Sequence, residues 1–176
     1  MFAPLEHWHE FYLLVGTAAA ALVALLFVAA SIGVGILSAE RSAATRLYMS
    51  PVVVHFTIVL FVCAVGLVPS HTVPSFGLII GTTGAIGLIY SGLLAIRVLN
   101  DRGIDFTDRL AYSIVPIVSY AAVVTAAVLA FRNFRRAPDL LAAAIMLLLI
   151  VNIRNAWDLA LFMARKHTDA RQPPQR

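Results

Sequence analysis

The chain has 176 residues, 61% of them apolar and only 12% charged, with 13 Lys and Arg against 9 Asp and Glu for a net charge of +4. A soluble domain carries roughly 45–50% apolar and ~25% charged residues, and a chain this short has too little interior to hide the excess. The composition therefore excludes a soluble enzyme, a disulfide scaffold, a disordered chain and a nucleic-acid reader, and it points to a bilayer.

Charge-free runs extend from Phe11 to Leu37, Val52 to Ile96, Leu110 to Phe131 and Leu140 to Ile153. A spanning helix needs ~20 mostly apolar residues. Five segments qualify, at 10–37, 50–69, 74–99, 109–131 and 138–165. The expected fold is an all-α bundle of five transmembrane helices in one domain, 1–166. A short disordered cytoplasmic tail is expected at 167–176, since Gln172-Pro173-Pro174-Gln175-Arg176 can bury nothing.

The first helix is not a secretory signal. It lacks a basic leader, carries Glu6 and Glu10, and its apolar run of 27 residues is too long. Gly16, Ala20, Ala24, Ser31 and Gly35 form a stripe of small residues along it. Glu6, His7, His9, Glu10 and His71 share the outer side and have the ligand types for a divalent metal. No spacing enforces a site, and the reading is an interfacial polar collar with Trp8 as anchor. No metal or cofactor is expected.

Ser50-Pro51 reads as an N-cap followed by proline in the first turn of the second helix. His55 then lies ~6 Å inside that helix, on the face of Cys63 and Gly66. A lone cysteine supports neither an intrachain disulfide nor a Cys-based zinc site. As the one intramembrane histidine, His55 also cannot form a bis-histidine haem site. Pro69-Ser70-His71-Thr72-Val73-Pro74 breaks the long apolar run with a tight external turn.

On the third helix, Gly77, Gly81, Gly84, Ser91, Gly92 and Ala95 fall on one stripe roughly 100° wide. Small residues let membrane helices approach closely, and the first and third helices are the expected close pair.

The polar residues collect in the inner halves. Tyr112, Ser113, Pro116, Ser119 and Tyr120 share an arc of roughly 120° on the fourth helix. The fifth helix opens at Pro138-Asp139 and carries Asn152, Arg154, Asn155 and Asp158 within roughly 160°. Counting back from Arg165 puts Asp158 ~10 Å and Arg154 ~16 Å deep, with the two charges at i, i+4 spacing. The candidate binding cluster is His55, Tyr112, Ser119, Tyr120, Asn152, Arg154, Asn155 and Asp158. Polar groups face lipid only at high cost, so these side chains are expected to converge on the bundle interior or a wet cavity.

The outer halves, Val59–Val68, Ala121–Phe131 and Leu140–Val151, offer little polarity beyond Thr125. A pore needs a wettable route across the whole membrane. The pattern predicts a pocket open to the cytoplasm and closed outside.

Two weaker similarities remain. Thr45-Arg46-Leu47-Tyr48-Met49-Ser50 resembles Asp108-Arg109-Leu110-Ala111-Tyr112-Ser113 at an offset of 63, as duplicated hairpins would. Phe11-Tyr12-Leu13-Leu14-Val15-Gly16-Thr17-Ala18-Ala19-Ala20, with Leu25-Leu26-Phe27-Val28-Ala29 and Ser31, resembles the first helix of an uncharacterised family of small multi-pass bacterial inner-membrane proteins. Pro51-Val52-Val53-Val54-His55-Phe56 is similar to the start of that family's second helix. The resemblance implies a multi-pass protein of the bacterial inner (plasma) membrane and brings no catalytic residue.

With the N-terminus outside, the inner side holds Arg41, Arg46, Arg97, Arg102, Arg109, Arg165, Lys166, Arg171 and Arg176, and the outer side only Arg132, Arg135 and Arg136. The positive-inside rule then predicts N-out, C-in. A reporter fused after Arg176 is expected to behave as cytoplasmic and one at the N-terminus as periplasmic. Both ends on one side would rule out five spans.

No His-Glu-x-x-His, Gly-x-Ser-x-Gly or phosphate loop occurs. The sequence therefore reads as a non-catalytic membrane protein, an accessory or binding protein acting through helix packing and the polar pocket. Its expected partners are the lipid bilayer and a second copy or another membrane protein, with no nucleic acid. The alternative is a small proton- or ion-linked transporter or channel using His55, Arg154 and Asp158.

Overall fold

A computed structural model of the chain describes residues 7–34, 39–100, 110–132 and 135–171. These residues form five helices and no strand: α1 His9–Val34, α2 Ala39–Leu67, α3 Val73–Asn100, α4 Val115–Phe131 and α5 Ala137–Arg171. A π-helical turn, Leu110–Ile114, leads directly into α4. Four apolar stretches are long enough to cross a membrane: His9–Ala29, Val73–Val98, Leu110–Phe131 and Ala137–Leu161. The apolar part of α2, Pro51–Leu67, sits at the lower limit of ~17 residues for a span. The protein is an all-α integral membrane protein.

Local chemistry explains most of the boundaries. At the start of α3, Ser75 N–H donates to Thr72 Oγ1 at 3.3 Å and Thr72 N–H donates to Ser75 Oγ at 3.0 Å. This reciprocal box satisfies donors that the first turn leaves free. His71 Nδ1 lies 3.3 Å from the same Ser75 Oγ, so it serves the turn. The α2 start differs from expectation. Pro51 stands inside the helix, which begins at Ala39, because Ala39, Glu40, Arg41, Ala43 and Ala44 are good helix formers and carry it up to the proline. At the other end of the chain, α5 continues to Arg171, past the expected start of the tail at His167. The tail's last residues, 172–176, lie outside the described residues. The proposed repeat finds no common backbone: residues 47–50 are α-helical, whereas 110–113 lie in the π turn.

Four helices close into a ring in which α2 packs on α3, α3 on α4, α4 on α5 and α5 back on α2. The seams follow a repeat of alternating three- and four-residue steps, the spacing of left-handed helix packing. On α5 the buried series is Leu141, Ile145, Leu148, Asn152, Asn155 and Leu159; through the π turn and α4 it is Ser113, Pro116, Tyr120, Val123, Ala127 and Ala130. Helix α1 lies outside the ring, against α2 and more lightly α5. A Cβ added at Gly16 would stand 3.1 Å from Cys63 Cβ, and one at Gly66 would stand 3.0 Å from the Tyr12 ring.

Gly77, Gly81 and Gly84 of the expected stripe do form a close contact on α3, joined by Gly87, which the expected stripe did not include, and the partner is α4 rather than α1. Cβ atoms added at Gly77, Gly81, Gly84 and Gly87 would meet Phe131, Ala127, Val123 and Tyr120 in turn. Gly92 meets nothing within 4 Å, so it lies off the contact. The stripe expected on α1 is not a contact face either. Only Gly16 of its members is buried there, while Ala20, Ala24 and Ser31 are exposed; Gly35 lies outside the described residues. The helix instead buries Ala19 together with Tyr12, Val15 and Leu26, whose larger side chains remove more apolar surface.

Hydroxyls on the lipid-facing perimeter are satisfied within their own helices. Ser31, Thr57, Thr82 and Thr125 each donate to the carbonyl four residues earlier, at 2.8–2.9 Å. A bilayer offers no other acceptor at that depth.

Candidate functional site

The ring's diagonal carries its best-defined polar contact. His55 of α2 and Tyr120 of α4 are both buried, and His55 Nδ1 and the Tyr120 hydroxyl are hydrogen-bonded at 2.7 Å. The two rings stand 5.5 Å apart between centroids, and Tyr90 of α3 meets the imidazole edge-on at 5.9 Å. Gly87 makes room for this arrangement. Any side chain there would run into the Tyr120 ring. A glycine chosen by the close approach of two helices thus also seats the phenol that reaches across the bundle.

One turn further toward the C-terminal end of α3, the crossing diagonal is polar as well. The α3–α4 contacts place Gly81 against Ala127, Gly84 against Val123 and Gly87 against Tyr120. Continued by one turn, that antiparallel register sets Ser91 beside Pro116. Helix α5 reaches the same turn of α4 from the other side. Asn155 Nδ2 donates to the Ala111 carbonyl at 3.5 Å, and Tyr112 Oη donates to the Asn155 carbonyl at 3.2 Å. Asn152, three residues earlier, therefore stands level with residues 115–116.

The π turn explains why the Ala111 carbonyl is available. In an i→i+5 pattern its partner amide belongs to residue 116, which is proline and has none. The Asn155 amide takes that place. Asn155 Oδ1, both polar atoms of Asn152, Ser91 Oγ and Ser113 Oγ are all buried without a hydrogen-bond partner. Buried polar groups are paired in the great majority of cases, so a cluster of exceptions calls for an explanation.

The expected cluster thus divides in three. His55 and Tyr120 meet each other, and Tyr112, Asn152 and Asn155 line the part of the α4–α5 seam beside the π turn. Ser119 is buried but donates to its own helix, to the Val115 carbonyl at 2.9 Å, and offers the interior little. Arg154 and Asp158 do not converge with the others. Their side chains are 39% and 40% exposed, each with one buried atom, Arg154 Nη1 and Asp158 Oδ2, and Arg154 Nη2 stands 3.8 Å from Asp158 Oδ2.

Their depth also changes. Because α5 runs on to Arg171, its end is not marked by Arg165. Measured instead from Ala137, Arg154 lies ~25 Å and Asp158 ~31 Å along the axis, against a hydrocarbon core of ~30 Å. The pair therefore lies at the edge of the hydrocarbon span. Alanine at either position is expected to cost less than ~1 kcal/mol, as for solvent-screened pairs. Thermal unfolding in detergent and in lipid checks this, and a much larger loss for Asp158→Ala would return the pair to the membrane interior.

Ser91 and Tyr90 were not among the residues expected here. Ser91 sat in the glycine stripe, where its hydroxyl passed for a small packing group. The remaining interior is apolar, with Val59, Val62, Ile80, Ala126, Leu141 and Ile145 buried beyond the His55–Tyr120 level. No protein-family model matches the chain, and neither does a curated protein or a solved structure.

Proposed function

We propose that this is a non-catalytic, multi-pass protein of a bacterial inner membrane, an accessory or binding component. It acts through a polar pocket entered from the cytoplasmic side. The observation that supports this reading is the division of the ring interior. Ser91, Ser113, Asn152 and Asn155 keep hydrogen-bonding atoms unpaired in one half, while the other half of the ring is hydrocarbon and the unpaired hydroxyl at that end, Tyr12 Oη, belongs to α1 outside the ring. A protein that only needed to pack would gain by carrying apolar residues at those positions, since an unsatisfied buried polar group costs ~1–3 kcal/mol.

The transport alternative needs His55, Arg154 and Asp158 on one route. His55 lies inside the ring and the other two on the perimeter of α5, so that alternative rests on His55 alone.

Single cysteines in a Cys63→Ala background test the pocket. In membranes, Cys at Ser113 and Asn152 is expected to react with an impermeant maleimide from the cytoplasmic side only. Cys at Val59, Ala126 or Ile145 is expected to stay unlabelled from both sides. A labelled path through those three positions would favour transport, and silence at Ser113 and Asn152 would remove the pocket.

A further inference from the structure

We propose that the pocket takes a small, uncharged molecule able both to donate and to accept hydrogen bonds. The inference rests on the pocket reading above and adds the chemistry of what enters it. Two observations carry it. The first is the inventory of unpaired atoms on the buried, uncharged side chains of this half of the ring. Asn152 Oδ1 and Asn155 Oδ1 can only accept, Asn152 Nδ2 can only donate, and the Ser91 and Ser113 hydroxyls do either. A bare cation would satisfy the oxygens and leave the Asn152 amide N–H groups stranded. A carboxylate or phosphate would satisfy the N–H groups and face two amide oxygens. Only a ligand with both kinds of group completes the set.

The second observation is the absence of compensating charge. Among the described residues, the buried polar side chains are His55, Ser91, Ser113, Ser119, Asn152 and Asn155, with no Asp, Glu, Lys or Arg. Arg154 and Asp158 are part-buried and each keeps one buried atom, Nη1 and Oδ2, but they stand against each other at 3.8 Å and together supply no net charge. Bringing a net charge into a low-dielectric interior without a counter-charge is costly. A neutral amide, a polyol or water meets no such barrier.

The side chains also come from separate walls: Ser91 from α3, Ser113 from the π turn before α4, and Asn152 and Asn155 from α5. A molecule seated among them would cross-link the inner end of the ring. The His55–Tyr120 pair, already bonded to itself, forms the floor one turn deeper.

Charge-selective labelling of Ser91→Cys in the Cys63→Ala protein, in membranes, tests the proposal. The probes are hydroxyethyl, aminoethyl and sulfonatoethyl methanethiosulfonate, each rate being divided by its rate with a free thiol. The neutral reagent is expected to react at least tenfold faster than either charged one. Equal or faster reaction of the aminoethyl reagent would make this a cation site, and of the sulfonate an anion site; either overturns the proposal while leaving the pocket intact. No reaction with any reagent would remove the pocket itself. Ser113→Cys is the second position should Ser91→Cys not fold. A separate arm uses Asn152→Leu, with thermal stability as the readout. An occupied site loses its contacts and melts lower. A higher melting temperature would mean that nothing binds Asn152, and would overturn the proposal.

Discussion

Gly87→Ala is expected to lower thermal stability more than any other glycine-to-alanine change on α3. Two opposing terms set the sign at each position. Alanine gains ~0.5–1 kcal/mol over glycine inside a helix, whereas forcing an extra group into a packed interface costs ~1–3 kcal/mol. At Gly92 nothing stands within 4 Å of the added carbon, so the gain wins and the variant should be neutral or slightly more stable. At Gly77 the new Cβ would lie 2.7 Å from Phe131 Cε2, but that ring is half exposed and can swing away. At Gly84 it would lie 2.9 Å from Val123 Cγ1, a buried and β-branched side chain with little rotamer freedom. At Gly87 it would overlap the Tyr120 ring, which is fully buried and tied to His55. The expected order of damage is therefore Gly87, then Gly84, then Gly77 and Gly92. Thermal unfolding of the four variants in one detergent reads it directly. If Gly87→Ala melts with Gly92→Ala, the close α3–α4 approach is not what glycine supplies there.

Much of the architecture was legible because hydrocarbon runs bounded by charge leave few choices in a bilayer. The break at Pro69–Pro74 and the start of α5 near Pro138 both fall where proline chemistry sets them. The boundary that misled was Pro51. Proline is compatible both with a first turn and, at some cost, with a helix interior, and only the helix-forming residues before it favour the second. The glycines of α3 told how near a neighbour comes but not which one, since a small residue fits any surface. Tyr120 could have named the neighbour, because a large buried ring needs a glycine opposite. The outward turn of Arg154 and Asp158 was in principle readable too. The Leu141, Ile145, Leu148 repeat, continued along α5, falls on Asn152, Asn155 and Leu159 and misses both charges. Grouping all four polar residues by a wide arc hid that phase. The His55–Tyr120 bond could not be read at all. It joins two helices that face each other across the ring, and that closure comes from packing rather than from either segment.

That diagonal bond supplies the second large effect. Tyr120→Phe keeps the ring that fills the centre and removes only the hydroxyl. His55 Nδ1 then loses its partner 2.7 Å away in a buried site, at a cost of ~1–3 kcal/mol. His55→Leu strands the phenol oxygen in the same way and is expected to destabilise by a similar amount. The double variant His55→Leu/Tyr120→Phe removes both polar atoms together, so no unpaired group remains, and it should melt closer to the wild type than either single change. This non-additivity is the signature of a direct contact, and the apolar surroundings strengthen it. The same logic links Tyr120 to Gly87. Alanine at 87 displaces the phenol from His55, so in a Tyr120→Phe background, where that bond is already gone, it should cost less than in the wild type. Thermal unfolding of the full set, in detergent and again in lipid, decides the matter. Additive losses, or a neutral Tyr120→Phe, would mean that His55 finds another partner, with the Tyr90 hydroxyl the first to test since its ring already meets the imidazole. The ring would then be held by its apolar seams alone.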